Sequence, residues 1–166
     1  IILFGLTAIT LLLCRQWPAL RAWTKSVPVR VLVAYHLVRF VGFYFLWLHS
    51  RGELPYAFAV PGGIGDIIIA TLALLLLRLN PEPASHRKFY LIWNFLGLVD
   101  ISFVVATAAR LALLSPGSMD AILRVPLSLL PTFIVPLIFA THVLIFVRLG
   151  FSIPGIRQKE TDQCRR

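Results

Sequence analysis

Three ionisable residues interrupt apolar stretches of this chain that are otherwise suited to hydrocarbon. Asp66 lies within FAVPGGIGDIIIATLALLLL, residues 58–77, where every other residue is apolar, Gly, Pro or a single Thr. Arg39 and Asp100 occupy similar surroundings. An ionisable group inside a membrane span costs at least about 2.5–3.5 kcal/mol, so such groups face the bundle interior and find partners. We therefore predict a buried polar cluster in which Arg39 neutralises Asp66 and shares its charge with Asp100.

A second set of polar residues falls at another depth. With a helical rise of about 1.5 Å per residue, His36, Asn94 and His142 lie roughly 6–10 Å nearer one membrane face than the ionisable cluster. Two imidazoles on facing helices could ligate a haem iron from both sides. The haem would be b-type, since the chain has no c-type attachment motif. Gly42 and Gly97 would make space for the porphyrin, with Asn94 beside it.

The same two histidines are also candidate ligands for a bare metal ion such as zinc or iron. His36 and His142 are the residues concerned. A quinone or a lipid is the alternative occupant of the bundle. A purely structural role, in which the polar residues only lock helices together, also stays open, because buried ion pairs often specify packing without doing chemistry.

The composition indicates that these residues lie on membrane-spanning helices. Of 166 residues, 58% are hydrophobic and 14% are charged, against about 25% charged in soluble domains. The apolar runs approach the roughly 17–25 residues of a helical span. We predict an all-α, polytopic transmembrane bundle of about five spans, with a short polar cytoplasmic tail at 151–166 after a single domain at 1–150. The spans are Ile1–Cys14, Val31–His49, Ala57–Leu79, Tyr90–Leu114 and Pro126–Val147.

The first run is too short for a complete span. We expect it to be a truncated N-terminal helix beside a four-helix core, with a signal-peptide core as the rival interpretation. Leu12-Leu13-Cys14 lacks the small residues expected before a cleavage point, which favours the helix.

The placement of basic residues predicts the orientation in the membrane. Twelve of the 16 basic residues fall on one side of the predicted spans, so the positive-inside rule puts the C-terminus in the cytoplasm and the N-terminus outside. We expect a bacterial inner-membrane protein that contacts membrane lipids. The charges are scattered over loops, which disfavours a nucleic-acid partner. The twelve residues are Arg15, Arg21, Lys25, Arg30, Arg78, Arg87, Lys88, Arg148, Arg157, Lys159, Arg165 and Arg166.

One motif invites a catalytic interpretation. Gly63-Ile64-Gly65-Asp66 resembles the GxGD motif of intramembrane aspartyl proteases, and Asp100 is a possible partner for Asp66. In that family the GxGD aspartate is the second of the pair, whereas here it comes first, and no Pro-Ala-Leu motif follows. Arg39 at the same level would keep both carboxylates ionised. These differences disfavour a protease and favour a non-catalytic role.

Part of the chain resembles the DoxX-type small membrane proteins. The resemblance rests on Arg39-x-x-Gly42-x-x-Phe45, Gly52-Glu53-Leu54-Pro55, Phe58-Ala59 and Gly62-x-x-Gly65-Asp66, and covers about residues 31–79. It implies a four-helix bundle and a buried pair of Arg39 with Asp66, where Asp replaces the usual Glu of that family. Some members are similar to quinone-linked redox subunits.

These observations together favour a small subunit or accessory protein of a membrane redox assembly. It would hold a hydrophobic cofactor, haem b or a quinone, between the second and fifth spans, and would have other membrane subunits as partners. Proton-coupled transport, or lipid binding through Arg39, Asp66 and Asp100, is the alternative, because buried ionisable groups are the usual parts of a proton relay.

Overall fold

The computed structural model describes residues 26–79, 81–83 and 85–150. In that part of the chain the secondary structure is helical, and four helices are long and apolar enough to cross a membrane. The predicted all-α bundle with a four-helix core is confirmed. The predicted first span and the tail at 151–166 lie outside the described residues. The helices are α1 (Val29–Ser50), α2 (Tyr56–Leu79), α3 (Arg87–Leu114), a short α4 (Asp120–Leu123) and α5 (Leu130–Leu149).

The connections between the four long helices make consecutive helices antiparallel. Residues 51–55 join α1 to α2, with Gly52 at a φ of 74° that favours glycine. Residues 115–129, which include α4, join α3 to α5. We call the end of the bundle formed by these two connections the loop end. The opposite end, where Arg30, Arg78 and Arg148 lie, is the basic end.

The middle of α1 is wound more tightly than an α-helix. Residues His36–Val41 form a 3₁₀-helix between two α-helical segments, Val29–Tyr35 and Gly42–Ser50. Side chains three residues apart eclipse one another in a 3₁₀-helix, and runs of more than about 3–4 residues are uncommon. The tight winding therefore places the side chain of His36 directly in line with that of Arg39, on the same face of α1.

Glycines set the closest approach of α1 and α2. A Cβ atom added to Gly42 would collide with the carbonyl oxygen of Gly63, and one added to Gly63 would come within 2.8 Å of the carbonyl oxygen of Gly42. Small residues let helices in membranes approach closely. The backbones of α1 and α2 thus meet beside the point where Arg39 and Asp66 enter the interior.

Helix α5 begins later than the sequence predicted. The expected start was Pro126, but this residue lies before the helix, which opens at Leu130 with a π-helical turn, Leu130–Ile134. Pro131 falls in the first turn of α5, where a missing backbone N–H is least costly, and Pro136 follows just after the π-helical turn. The carbonyl oxygen of Ile134 in this turn accepts a hydrogen bond from the Tyr35 hydroxyl at 3.4 Å, which ties α5 to α1.

The apolar interior forms two clusters on either side of the polar residues. We call the one at the basic end the packed half; it centres on Val33, Ile69, Ala73, Trp93 and Ile145. The other, the cavity half, lies toward the loop end and is built around Phe45, Phe58, Ile101, Ile122 and Ile138. The polar side chains thus lie between two apolar regions.

Candidate functional site

The predicted ionisable cluster is present at the centre of the bundle. Arg39 Nε donates to Asp66 Oδ1 at 2.6 Å, and Arg39 Nη2 donates to Asp100 Oδ2. Arg39 Nη1 donates to the Gly97 carbonyl oxygen at 3.0 Å. Arg39 is 1% exposed and Asp66 is 3% exposed, whereas the Asp100 side chain is 18% exposed. One guanidinium therefore joins three helices through charge-assisted hydrogen bonds.

Glycine at position 65 makes room for the second carboxylate. A Cβ atom at Gly65 would overlap Asp100 Oδ1. Residues 65 and 66 are adjacent on α2, so the same turn supplies one carboxylate and the space for the other. Packing around Arg39 therefore explains the second glycine and the aspartate of the GxGD motif.

The cluster carries an excess of negative charge when both acids are ionised. One guanidinium faces two carboxylates, so the net charge of the cluster is −1. Arg39 uses three of its five N–H groups on the acceptors just named. Within the described part of the chain, no residue donates to Asp66 Oδ2.

The second predicted layer also forms, directly on the basic side of the ion cluster. His36, Asn94 and His142 are each 0% exposed. The ring centroids of His36 and His142 are 4.2 Å apart, and Trp93 packs edge-on against His36 with a centroid separation of 5.0 Å. A Cβ atom at Gly97 would come within 2.6 Å of His142 Cε1, so this glycine accommodates the imidazole.

Hydrogen bonds assign the tautomers of the two histidines. Asn94 Nδ2 donates to the His142 carbonyl oxygen at 3.0 Å, which leaves Asn94 Oδ1 to accept from His142 Nδ1 at 2.8 Å. The Thr141 hydroxyl donates to a backbone carbonyl of its own helix. It therefore accepts from His36 Nε2 at 3.2 Å. His36 Nδ1 and His142 Nε2 remain as buried acceptors without a donor among the described residues.

This layer does not fit a haem or a metal ion held between the two histidines. A metal–imidazole bond is about 2 Å long, so ligands on opposite faces of an iron hold their nitrogens about 4 Å apart and their ring centres farther apart still. The rings of His36 and His142 are already in contact. The spaces beside Gly42 and Gly97, where a porphyrin was expected, are filled by Gly63 and His142 respectively. In the described residues no group of three or more potential metal ligands occurs.

A cavity of about 470 Å³ lies on the other side of the ion cluster, in the cavity half. Arg39 and Asp66 line its inner end, while Asp120 and the neighbouring turn line its loop end. The walls are otherwise apolar and come mainly from α3 and α5. Neither His36 nor His142 lines it. The wall residues include Phe45, Phe58, Ile101, Val104, Ala108, Ala112, Met119, Leu130, Ile134 and Ile138.

Sequence reasoning missed the features that shape this cavity. Ala108, Ala109 and Ala112 on α3 are small side chains that leave space in its wall, and their clustering was a visible signal. Thr141, the partner of His36, is adjacent to a predicted site residue and was also overlooked. The position of α4 over the loop end had no comparable signal.

Comparison with known proteins identifies the family but brings no activity with it. Residues 1–150 match the model of a family described as Domain of unknown function (DUF8737), and the chain belongs to this family. No curated protein and no solved structure matches the chain.

Proposed function

We propose that this member of the DUF8737 family binds a membrane-dissolved small molecule of the quinone class in the cavity between α3 and α5. The observation that carries this proposal is an apolar cavity of about 470 Å³ with Arg39 and Asp66 at its inner end. Ligand sites are typically concave, about 300–1,000 Å³ in volume, largely apolar and equipped with a few well-placed polar groups.

The distribution of polarity matches an amphipathic ligand. Among the described residues that line the cavity, the charged side chains are Arg39 and Asp66 at one end and Asp120 at the other. A ring with oxygen substituents would lie against Arg39 and Asp66, and an apolar tail would lie along the alanines of α3. Arg39 N–H groups can donate to such an oxygen, while the Asp66 carboxylate can accept from a hydroxyl.

A ligand of the quinone class favours a role as a subunit or accessory protein of a membrane redox assembly over proton-coupled transport or a purely structural role. The His36–His142 layer does not fit a haem, so the protein would hold a quinone and not a haem. In the bacterial inner membrane, with the basic end in the cytoplasm, the cavity would open toward the outer half of the bilayer. Exposed aromatic residues on α1, including Phe43 and Trp47, would meet lipid or a neighbouring subunit.

Equilibrium binding to the full chain in lipid nanodiscs tests this proposal. A benzoquinone with a decyl tail, measured in its oxidised and its reduced form, is expected to bind saturably in at least one form, with one molecule per chain. Ala108→Leu places a larger side chain in the cavity wall and should weaken binding by roughly tenfold or more, because the added atoms occupy space that the ligand would fill.

Ala106→Leu is the matched control for this experiment. It makes the same change two residues away on the same helix, at an exposed position that does not line the cavity. It should leave binding unchanged. Equal binding by both variants, or no saturable binding by the unaltered protein, would refute the proposal and favour a purely structural role for the ion cluster.

A further inference from the structure

The polar end of the cavity offers a strong acceptor and few free donors. Asp66 Oδ1 accepts from Arg39, and no described residue donates to Oδ2. Arg39 already donates to Asp66, to the Gly97 carbonyl oxygen and to Asp100. The lining residues contribute no hydroxyl, amide or imidazole side chain among those the structure describes. A polar head entering the cavity therefore meets Asp66 as its main available partner.

The charge of the surroundings reinforces this asymmetry. The cluster of Arg39, Asp66 and Asp100 has a net charge of −1 when both acids are ionised, and Asp120 adds a further negative charge at the loop end. Effective dielectric constants are low inside a bundle, so such charges act strongly there. A head that carries only acceptor oxygens is repelled by the carboxylates and gives Asp66 no donor, so its polar partners are the Arg39 N–H groups that the cluster leaves unused.

A head with a hydroxyl group escapes both penalties. An O–H group that donates to a carboxylate makes a charge-assisted hydrogen bond, which is about twice as strong as a bond between neutral groups. The same oxygen can accept from one of the Arg39 N–H groups that remain. Asp66 and Arg39 thus form a paired acceptor and donor that fits a phenolic hydroxyl.

We infer that the cavity selects ligands whose head donates a hydrogen bond, such as the phenolic hydroxyl of a quinol, over heads that only accept, such as a quinone carbonyl or an ether. This inference rests on the proposed function and specifies the form of the ligand. The protein would hold the reduced form of its ligand more tightly than the oxidised form, and would exclude anionic lipids.

Two matched probes test the selection without any redox chemistry. 4-Decylphenol and 4-decylanisole have the same ring and tail, but only the phenol donates a hydrogen bond. Their affinities are measured on the full chain in nanodiscs, each corrected for partition into empty nanodiscs. The phenol is expected to bind roughly tenfold or more tightly, as a hydrogen bond to a charged group predicts. 4-Decylbenzoate, which is anionic, should bind more weakly than either.

Variants assign the selection to Asp66. Asp66→Asn keeps the shape of the side chain and removes its charge, and should lower the phenol-to-anisole ratio to below about threefold. Glu53→Gln removes a carboxylate charge outside the cavity, where Glu53 pairs with Arg51 on the surface, and should keep the ratio. If Asp66→Asn does not fold, the three probes on the unaltered protein decide the question. Equal affinity for phenol and anisole would overturn the inference and leave the proposed function standing, whereas no binding of either probe would overturn both.

Discussion

The packed half and the cavity half of this bundle are both apolar, yet they are filled very differently. In the packed half, Trp93 Nε1 donates to the Ile69 carbonyl oxygen at 3.1 Å and the Tyr90 hydroxyl donates to the Pro81 carbonyl oxygen at 3.0 Å, so these two large side chains fill the interior with their polar atoms paired. In the cavity half, the facing side chains of α3 include Ala108 and Ala112, and space remains.

The difference shows what decides packing in lipid. Hydrocarbon tails are as apolar as leucine, so burying apolar surface between helices provides little free energy to close a gap. Side-chain size and hydrogen bonds therefore decide how closely the helices pack. The packed half anchors one side of the ion cluster, and the cavity half leaves its other side open to a ligand. Three pairs of substitutions test this difference between the two halves.

Removing the central guanidinium should have the largest effect, because both halves depend on it. Arg39→Met leaves the buried Asp66 and the half-buried Asp100 without their partner, and breaking a buried ion pair in this way costs about 3–5 kcal/mol. The free energy of unfolding in mixed micelles measures the loss. Arg51→Met is the control: Arg51 pairs with Glu53 at 3.0 Å on the surface, where ion pairs contribute about 0–1 kcal/mol. Similar losses in both variants would contradict the central role of Arg39.

Added volume should distinguish the two halves directly. Ala73, in the packed half, is 0% exposed, and Ala73→Leu should lower the free energy of unfolding by about 1–3 kcal/mol through overpacking. Ala108→Leu adds the same atoms to the cavity half and should change this free energy little, because the new side chain enters existing space. The comparison uses ligand-free protein in the same micelles. An equal loss at both positions would mean that the cavity half is as tightly filled as the packed half.

The smallest effect is expected from single methyl groups at two interior glycines. At Gly97 a Cβ atom meets the His142 ring at 2.6 Å, whereas at Gly62 the nearest atom is a Val104 methyl at 3.2 Å. Gly97→Ala should destabilise by about 1 kcal/mol, since overpacking exceeds the gain in helix propensity. Gly62→Ala should be neutral or slightly stabilising, because Val104 can move toward the cavity. Thermal unfolding measures the stability of both variants, and a lower stability of Gly62→Ala than of Gly97→Ala would contradict this expectation.

The sequence predicted the polar interior well because lipid permits few alternatives. Arg39, Asp66 and Asp100 had to find partners inside the bundle, and the helical rise placed His36, Asn94 and His142 in a second layer beside them. The glycines at 42 and 97 were expected to leave space for a porphyrin, but Gly63 and His142 fill the space beside them. Steric fit at these positions depends on helix rotation, which hydrophobic patterning does not specify when helices are apolar all round.

The cavity was beyond prediction for a related reason. Its volume depends on the late start of α5 at Leu130, on the π-helical turn there and on the placement of α4. These features follow from how proline-containing segments pack in three dimensions. The expected redox role, the membrane orientation and the likeness to DoxX-type proteins stay predictions.

Photocrosslinking most directly tests the claim that the cavity holds a small molecule at Arg39 and Asp66. A decyl-tailed quinol analogue carrying a photoreactive group is bound to the full chain in nanodiscs, and the labelled residues are identified by tandem mass spectrometry. We expect labelling of cavity-wall residues such as Ile101 on α3 and Ile138 on α5, suppressed by excess 4-decylphenol and by Ala108→Leu. Labelling confined to lipid-facing residues such as Phe103 and Phe133, and unaffected by either treatment, would contradict it.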